Sequence, residues 1–255
     1  MENMQSPYTQ GELNTELVRD NLIFLSELES RIHSHGVFDH PLLQNLADGN
    51  YKADGLKMVL AEFSKHVGVF TAALSALLGN TPDIKSRFVL FDNLYEEMGR
   101  GTYEQSHFRL YISMLESLGI KESELQTYTP LCSVETLNDA LMHAVTQKPF
   151  IVGLAWLGLG GEVTIPNNFP FLVQALKTCF PTTAVDWQFF DRHGGRDQMH
   201  NDDANIILAL YMQEEDRALI ELEVMKSLRV RKAVWDELET RAIDSYLVKD
   251  SSKVA

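Results

Sequence analysis

His193-Gly194-Gly195-Arg196-Asp197-Gln198-Met199-His200 reads H-x-x-x-D-x-x-H. On a helix, residues i, i+4 and i+7 lie nearly above one another on one face, so two imidazoles and a carboxylate point into the same space. That donor mixture suits a first-row transition metal such as iron. These eight residues alone do not separate a metal site from a solvated helical turn that holds three polar side chains. The metal reading needs more ligands from the rest of the chain.

The rest of the chain sets the frame for that search. It has 255 residues, 45% of them hydrophobic and 23% charged, enough for a sizeable core. The net charge of −14 argues against nucleic acid or an anionic membrane as partner, and solubility accounts for it. The two cysteines, Cys132 and Cys179, form no C-x-x-C pattern, which suits a reducing compartment. The N-terminus shows no basic region followed by an apolar stretch, so no signal peptide is expected. Phe150 to Ile165 is the most apolar segment, too short and too glycine-rich for a membrane span. The expectation is a cytoplasmic protein.

The hydrophobic pattern is helical nearly throughout, with no sustained alternation and no hairpin signal. Leu17, Leu22, Leu25, Leu28 and Ile32 keep helical spacing, and Gly36 ends that helix. Further helices are expected at 56–78, 84–98, 104–118, 134–145 and 150–162. Pro166 and Pro170 lead into another at 171–180, and a long final helix, with room for a break, covers 202–247. No repeat or linker divides the chain. The sequence therefore predicts one all-α domain over 1–255, with its core at about 37–220 and a frayed tail at 249–255.

Ligands for a metal inside a helical bundle come from charged residues on otherwise apolar faces. Glu162 is the only charged residue in FIVGLAWLGLGGEVTI. Burying an unpartnered carboxylate costs several kcal/mol, so it calls for a partner such as a metal, unless it reaches water at a helix end. In NLYEEMG, Glu97 falls at the edge of an apolar face expected to carry Leu90, Phe91, Leu94 and Met98, whereas Glu96 should point to solvent. His107 lies on an inward stripe with Tyr111, Met114 and Leu118. Glu62 and His66 form an i, i+4 pair, and Glu62 is a weaker candidate for an extra carboxylate. His33, His35 and His40 read as surface residues and His143 as structural.

Glu97, His107, Glu162, His193, Asp197 and His200, in this order, resemble the ligand pattern of the haem-oxygenase-like diiron oxidases. The local strings NLYEEMG followed by HFRLY, and GLGGEVTIP before an aromatic-rich helix, are similar as well. The resemblance implies a haem-free bundle of about seven core helices related to haem oxygenase. It implies two irons (Fe2+/Fe3+), with manganese as a substitute. One would be held by Glu97, His107 and His193 or a neighbour, the other by Glu162, Asp197 and His200, with O2 as co-substrate and no catalytic residues beyond the ligands. Members of the family carry out N-oxygenation, oxidative cleavage, nitrile formation or decarboxylation. The implied activity is therefore oxidation or cleavage of a small amine- or carboxylate-bearing molecule of the amino acid or fatty acid class.

Chlamydial members make p-aminobenzoate from one of their own tyrosines, and such members place tyrosines beside the ligands. Here Gly161 precedes Glu162 and Phe189 sits one turn before His193, although Tyr95, Tyr103 and Tyr111 lie near candidate ligands. An external electron donor and a homodimer are compatible with this reading. Three carboxylates and three imidazoles without thiolate suit iron or manganese better than structural zinc. Gly194 and Gly195 each cost a helix interior roughly 0.5–1 kcal/mol, so residues 186–202 are expected to order when iron binds. Two competing readings remain. One is a metal-free thiaminase-like hydrolase using Cys132 or Cys179. The other is a non-catalytic interaction protein stabilised by metal.

Overall fold

The computed structural model describes residues 6–182, 184–193 and 197–243, with the side chains of 197–200 and 241–243 outside the description. Helices account for the ordered elements, and no strand occurs among the described residues. In chain order they are α1 (Glu16–Ile32), α2 (Pro41–Ala47), α3 (Ala53–Asn80), α4 (Ile84–Glu97), α5 (His107–Ser117), α6 (Cys132–Gln147), α7 (Phe150–Leu157), α8 (Ile165–Cys179), α9 (Gln188–His193), α10 (Asp197–Tyr211) and α11 (Arg217–Glu237), with shorter turns between them.

Local chemistry sets the boundaries. Thr15 caps α1 by accepting from the Val18 amide, and Asp83 caps α4 by accepting from the amides of Lys85 and Ser86. Gly119, at φ +84°, follows α5 in a left-handed conformation open to glycine. Apolar stripes then bury against one another. Leu25, Leu28 and Ile32 of α1, Leu56, Leu60, Leu74 and Leu77 of α3, and Leu141 of α6 are all essentially removed from solvent. Each such side chain contributes about 1.5–3 kcal/mol. α3 runs through the centre, packed against α4, α5, α6 and α7.

Two expectations need correction. The segment at 150–162 is not one helix. It stops at Leu157, crosses a glycine-rich break, and makes a short 3₁₀ turn at Glu162–Thr164. Gly160 and Gly161 are needed there, because a Cβ would fall 2.5 Å from Ser227 Oγ and 2.4 Å from the Leu157 carbonyl oxygen, respectively. The next helix starts at Ile165, not 171. Pro166 sits in its first turn, where a missing N–H costs nothing, and Pro170 is carried inside it. The long final helix does carry the break that the sequence left room for, at residues 212–216, which parts α10 from α11. Phe150–Cys179 is apolar enough by composition to cross a membrane, but the break divides it and 72% of its most apolar window is buried in the bundle.

Two histidine expectations also change. His40 is buried, not on the surface: its Nδ1 accepts from the Leu42 amide at the start of α2, and its Nε2 donates to Asp236 Oδ1 at 3.0 Å. His143 is exposed and packs in no core. The expected tail at 249–255 lies outside the described residues.

Candidate metal centre

The link between α4 and α5 builds the site. Glu97 is the last residue of α4 and His107 the first of α5. Between them Gly99 (φ +69°) and Gly101 (φ +85°) turn the chain back on itself. A Cβ on Gly99 would lie 2.4 Å from the Ser106 amide nitrogen, so only glycine lets the two helix ends meet this closely. The turn brings His107 Nδ1 to 2.9 Å from Glu97 Oε1. That approach lacks hydrogen-bond geometry, and His107 Nδ1 is buried without a hydrogen-bond partner. Nitrogen and oxygen are close neighbours that do not satisfy each other, as expected for two donors directed at a common third point.

His193 closes the group from the end of α9. Donor atoms of Glu97, His107 and His193 all lie within 4.8 Å of one another. The His193 ring is 4.5 Å from that of His107 and is wedged against Phe189 and Phe169, at 4.4 and 5.2 Å between centroids. Its Nδ1–H donates to the Phe189 carbonyl at 2.7 Å, which fixes the tautomer with the electron pair on Nε2. Metal-bound histidines are held in this way by an outer hydrogen bond.

Glu162 enters from the break after α7. It is buried, and Asn93, one turn before Glu97 on α4, donates Nδ2–H to its Oε1 at 3.0 Å. Glu97, His107, Glu162 and His193 line one cavity of about 90 Å³. The structure thus gathers four of the six sequence candidates. The side chains of Asp197 and His200 lie outside the described residues, as does any geometry across 194–196, so the i, i+4, i+7 alignment and its glycines fall there too. The donors brought together are carboxylate and imidazole without thiolate, in a buried setting, and this set fits iron.

α4 shows a different face from the one expected. Phe91 and Met98 are about half exposed, while Ser86, Leu90, Asn93, Glu96 and Glu97 point inward. Glu96 is buried as well, and it pairs with Arg100 instead of pointing to solvent. A hydrophobic count misplaces this face because its buried positions serve polar partners. Asn93 was the residue missed. Its signal was a polar side chain one turn before a candidate ligand.

Glu62 also lines the cavity, on another wall. Both its oxygens are engaged, Oε1 by the Tyr128 hydroxyl at 2.5 Å and Oε2 by the Leu131 amide at 3.0 Å, and burial raises its pKa. One turn along α3, His66 is buried. Burial first, and the nearby Arg231 charge second, lower its pKa to about 3. Of the tyrosines near the ligands, Tyr95 and Tyr103 are exposed, and Tyr111 is buried with its hydroxyl donating to the Leu60 carbonyl at 2.8 Å. Cys132 is exposed. Cys179 is half-buried, with a thiol pKa raised by burial, and neither cysteine belongs to the cavity lining.

Residues 57–232 match the model of a family described as iron-containing redox enzyme. A protein named 4-aminobenzoate synthase from Chlamydia muridarum is 23% identical over 208 residues, covering 80% of this chain and 86% of its own length. Among solved structures, a CADD-like protein of unknown function from Nostoc punctiforme superposes with a TM-score of 0.72 at 19% identity, over 88% of this chain and 99% of that one. A TenA homologue from Pseudomonas syringae gives 0.69 at 13% identity, over 93% and 98%. A domain of unknown function with a heme oxygenase-like fold from Shewanella denitrificans gives 0.60 at 18% identity, over 89% and 94%. At these identities the superpositions establish the haem-oxygenase-like fold and nothing finer.

Proposed function

The chain belongs to the iron-containing redox enzyme family, and on that premise we propose that it is a non-haem diiron oxidase that uses O2 on a small organic substrate. The observation that carries the reading is the Glu97–His107–His193 cluster, with Glu97 and His107 buried and His193 partly so, three donor groups gathered within 4.8 Å from the ends of α4, α5 and α9. With Glu162 lining the same cavity, and Asp197 and His200 following in the same motif as His193, six ligands are enough for two irons. Three carboxylates would offset most of the charge of two divalent ions, which suits a buried site. Manganese is a substitute compatible with this carboxylate-rich donor set.

When bound, iron supplies the redox chemistry with O2 that no protein side chain provides. The chain's own residues position and shield. Asn93 holds the Glu162 carboxylate by its Oε1. The Phe189 carbonyl holds His193 in one tautomer. Phe169 and Phe189 pack against the His193 imidazole. An external electron donor belongs to this proposal, and nucleic acid and membranes do not.

A hydrolase with a cysteine nucleophile finds no support, because neither Cys132 nor Cys179 lines the cavity. The name 4-aminobenzoate synthase, carried by chlamydial relatives at 22–23% identity, keeps aromatic carboxylate chemistry among the outcomes to test.

Anaerobic titration with Fe(II) tests the proposal. Two irons per chain and O2 uptake that rises with added substrate are expected. Wild-type protein that binds no iron under these conditions sinks the reading.

A further inference from the structure

Arg231 is the unusual charge in this molecule. It sits on α11, buried, and lines the same cavity as Glu97, His107, Glu162 and His193. It is the only lysine or arginine among the described lining residues. Its Nε–H donates to the Gly160 carbonyl at 2.5 Å, and Nη1 donates to His66 Nε2 at 3.0 Å. No carboxylate pairs with it among the described residues, and Nη2 has no hydrogen-bond acceptor there. Burial alone lowers its pKa, to about 10, so it keeps its charge at neutral pH. A desolvated guanidinium without a counter-charge is costly, and chains seldom keep one without a use.

The surroundings hold this cation still and leave one edge open. His66 accepts from Arg231 only as the neutral ring with its proton on Nδ1, and Asn138 Oδ1 accepts that proton's hydrogen bond at 2.8 Å. Asn138 in turn donates to the Lys65 carbonyl at 3.2 Å. At the other side Gly161 leaves room, since a Cβ there would lie 2.9 Å from Nη2. Nη2 therefore borders the residue before Glu162, beside the candidate metal centre. A second unused polar group shares the cavity. Asn168 is buried, and its Oδ1 has no hydrogen-bond partner. The remaining walls are largely apolar, with Phe63, Val67, Phe70, Leu137, Leu172 and Trp235 among them.

We propose that Arg231 is the anchor for the carboxylate of the substrate, and that this enzyme acts on a carboxylic acid with an apolar body rather than on a simple amine. Nη2 and the free Nη1 hydrogen would grip the carboxylate, Asn168 Oδ1 would accept from a donor such as an amino or hydroxyl group where the acid carries one, and the apolar walls would take the carbon chain. Guanidinium–carboxylate contacts are charge-assisted and geometrically selective, and they gain strength where water is excluded. This inference rests on the diiron reading for the reaction, although the anchor itself is a binding property.

Calorimetry under argon, with the full-length iron-loaded chain, tests it. The probes are octanoate, 3-phenylpropanoate and L-phenylalanine, with octanamide and octylamine as partners lacking the carboxylate. Wild type is expected to bind at least one acid, and Arg231→Gln to weaken it about 30-fold, the scale of charge-assisted hydrogen bonds. Arg231→Lys keeps the charge but loses the fork, and should retain part of the affinity. If Arg231→Gln does not fold, the lysine variant and the acid-against-amide comparison carry the test. The amide and amine should bind at least tenfold more weakly than octanoate and ignore the substitution. The tightest acid identifies the source, aliphatic, aromatic or amino acid. Equal acid binding by wild type and Arg231→Gln overturns the anchor, as does an amide that binds as well as its acid. Iron content of the same samples separates the two readings. An Arg231→Gln chain with wild-type iron and lost acid binding upholds the anchor. A wild-type chain that binds acid but no iron sinks the diiron reading alone.

Discussion

The two ends of the cavity solve the burial of charge in opposite ways. At the α4–α5 end, Glu97 and His107 approach to 2.9 Å without a hydrogen bond between them, and His193 is turned toward the same space. At the α3–α11 end, Glu62, His66 and Arg231 are tied down by Tyr128, Asn138 and Gly160, and a single guanidinium edge is left over. One end gathers electron-pair donors of the kind that hold a cation. The other is a cation waiting for an anion. His107 Nδ1 at the first end and Asn168 Oδ1 in the same cavity are buried without a hydrogen-bond partner, and such atoms mark places where a ligand can complete the structure.

Removing a donor at the first end should have the largest effect. His107→Ala should lower iron affinity by more than the roughly 10–100-fold typical of outer-shell changes, read by iron content after anaerobic loading. A variant that keeps wild-type iron would show that the α4–α5 end is not a metal site. Gly161→Ala would drive a Cβ toward the Leu157 carbonyl and Arg231 together. It should cost up to about 3 kcal/mol of stability by denaturant unfolding, and an unchanged midpoint would mean the break relaxes freely.

Asn93→Leu removes only the hand on Glu162. It should weaken iron about 10–100-fold while the fold survives, and full iron affinity would make Asn93 a packing residue.

The smallest effect distinguishes the second end by pH. His66 has its folded pKa lowered to about 3 from an ordinary 6.5, so the unfolded chain takes up a proton that the folded chain refuses. Its contribution is complete above pH 6.5 and is lost as pH falls from there toward 3, by about 2 kcal/mol at pH 5. Glu62, whose pKa is raised, acts in the opposite sense at low pH, so the readout is the difference between chains. The thermal midpoint of wild type should fall more between pH 7 and 5 than that of His66→Gln. Parallel curves would place the lost stability elsewhere.

The α-helical class was legible because apolar residues recur at helical spacing along nearly the whole chain, and the same spacing put His107 on its buried stripe with Tyr111 and Met114. The stripe on α4 was misread at Phe91, Met98 and Glu96, because hydrophobicity predicts burial only where burial is not decided by polar partners. His40 was misread for the same reason: its partner Asp236 lies 196 residues away. The roles of Asp197 and His200 remain those the sequence suggests, a motif and a count.

The sequence by itself determined the helices, most of their stops, and the residue types suited to iron, since these follow from local spacing and side-chain chemistry. Only the tertiary structure decided that Gly99 folds Glu97 onto His107, that Asn93 reaches Glu162, and that Arg231 stands buried beside them without a carboxylate partner. The first depends on the conformation of one tight turn and the other two on contacts between helices far apart in the chain, and no local pattern encodes which buried charge will be left without a counter-charge.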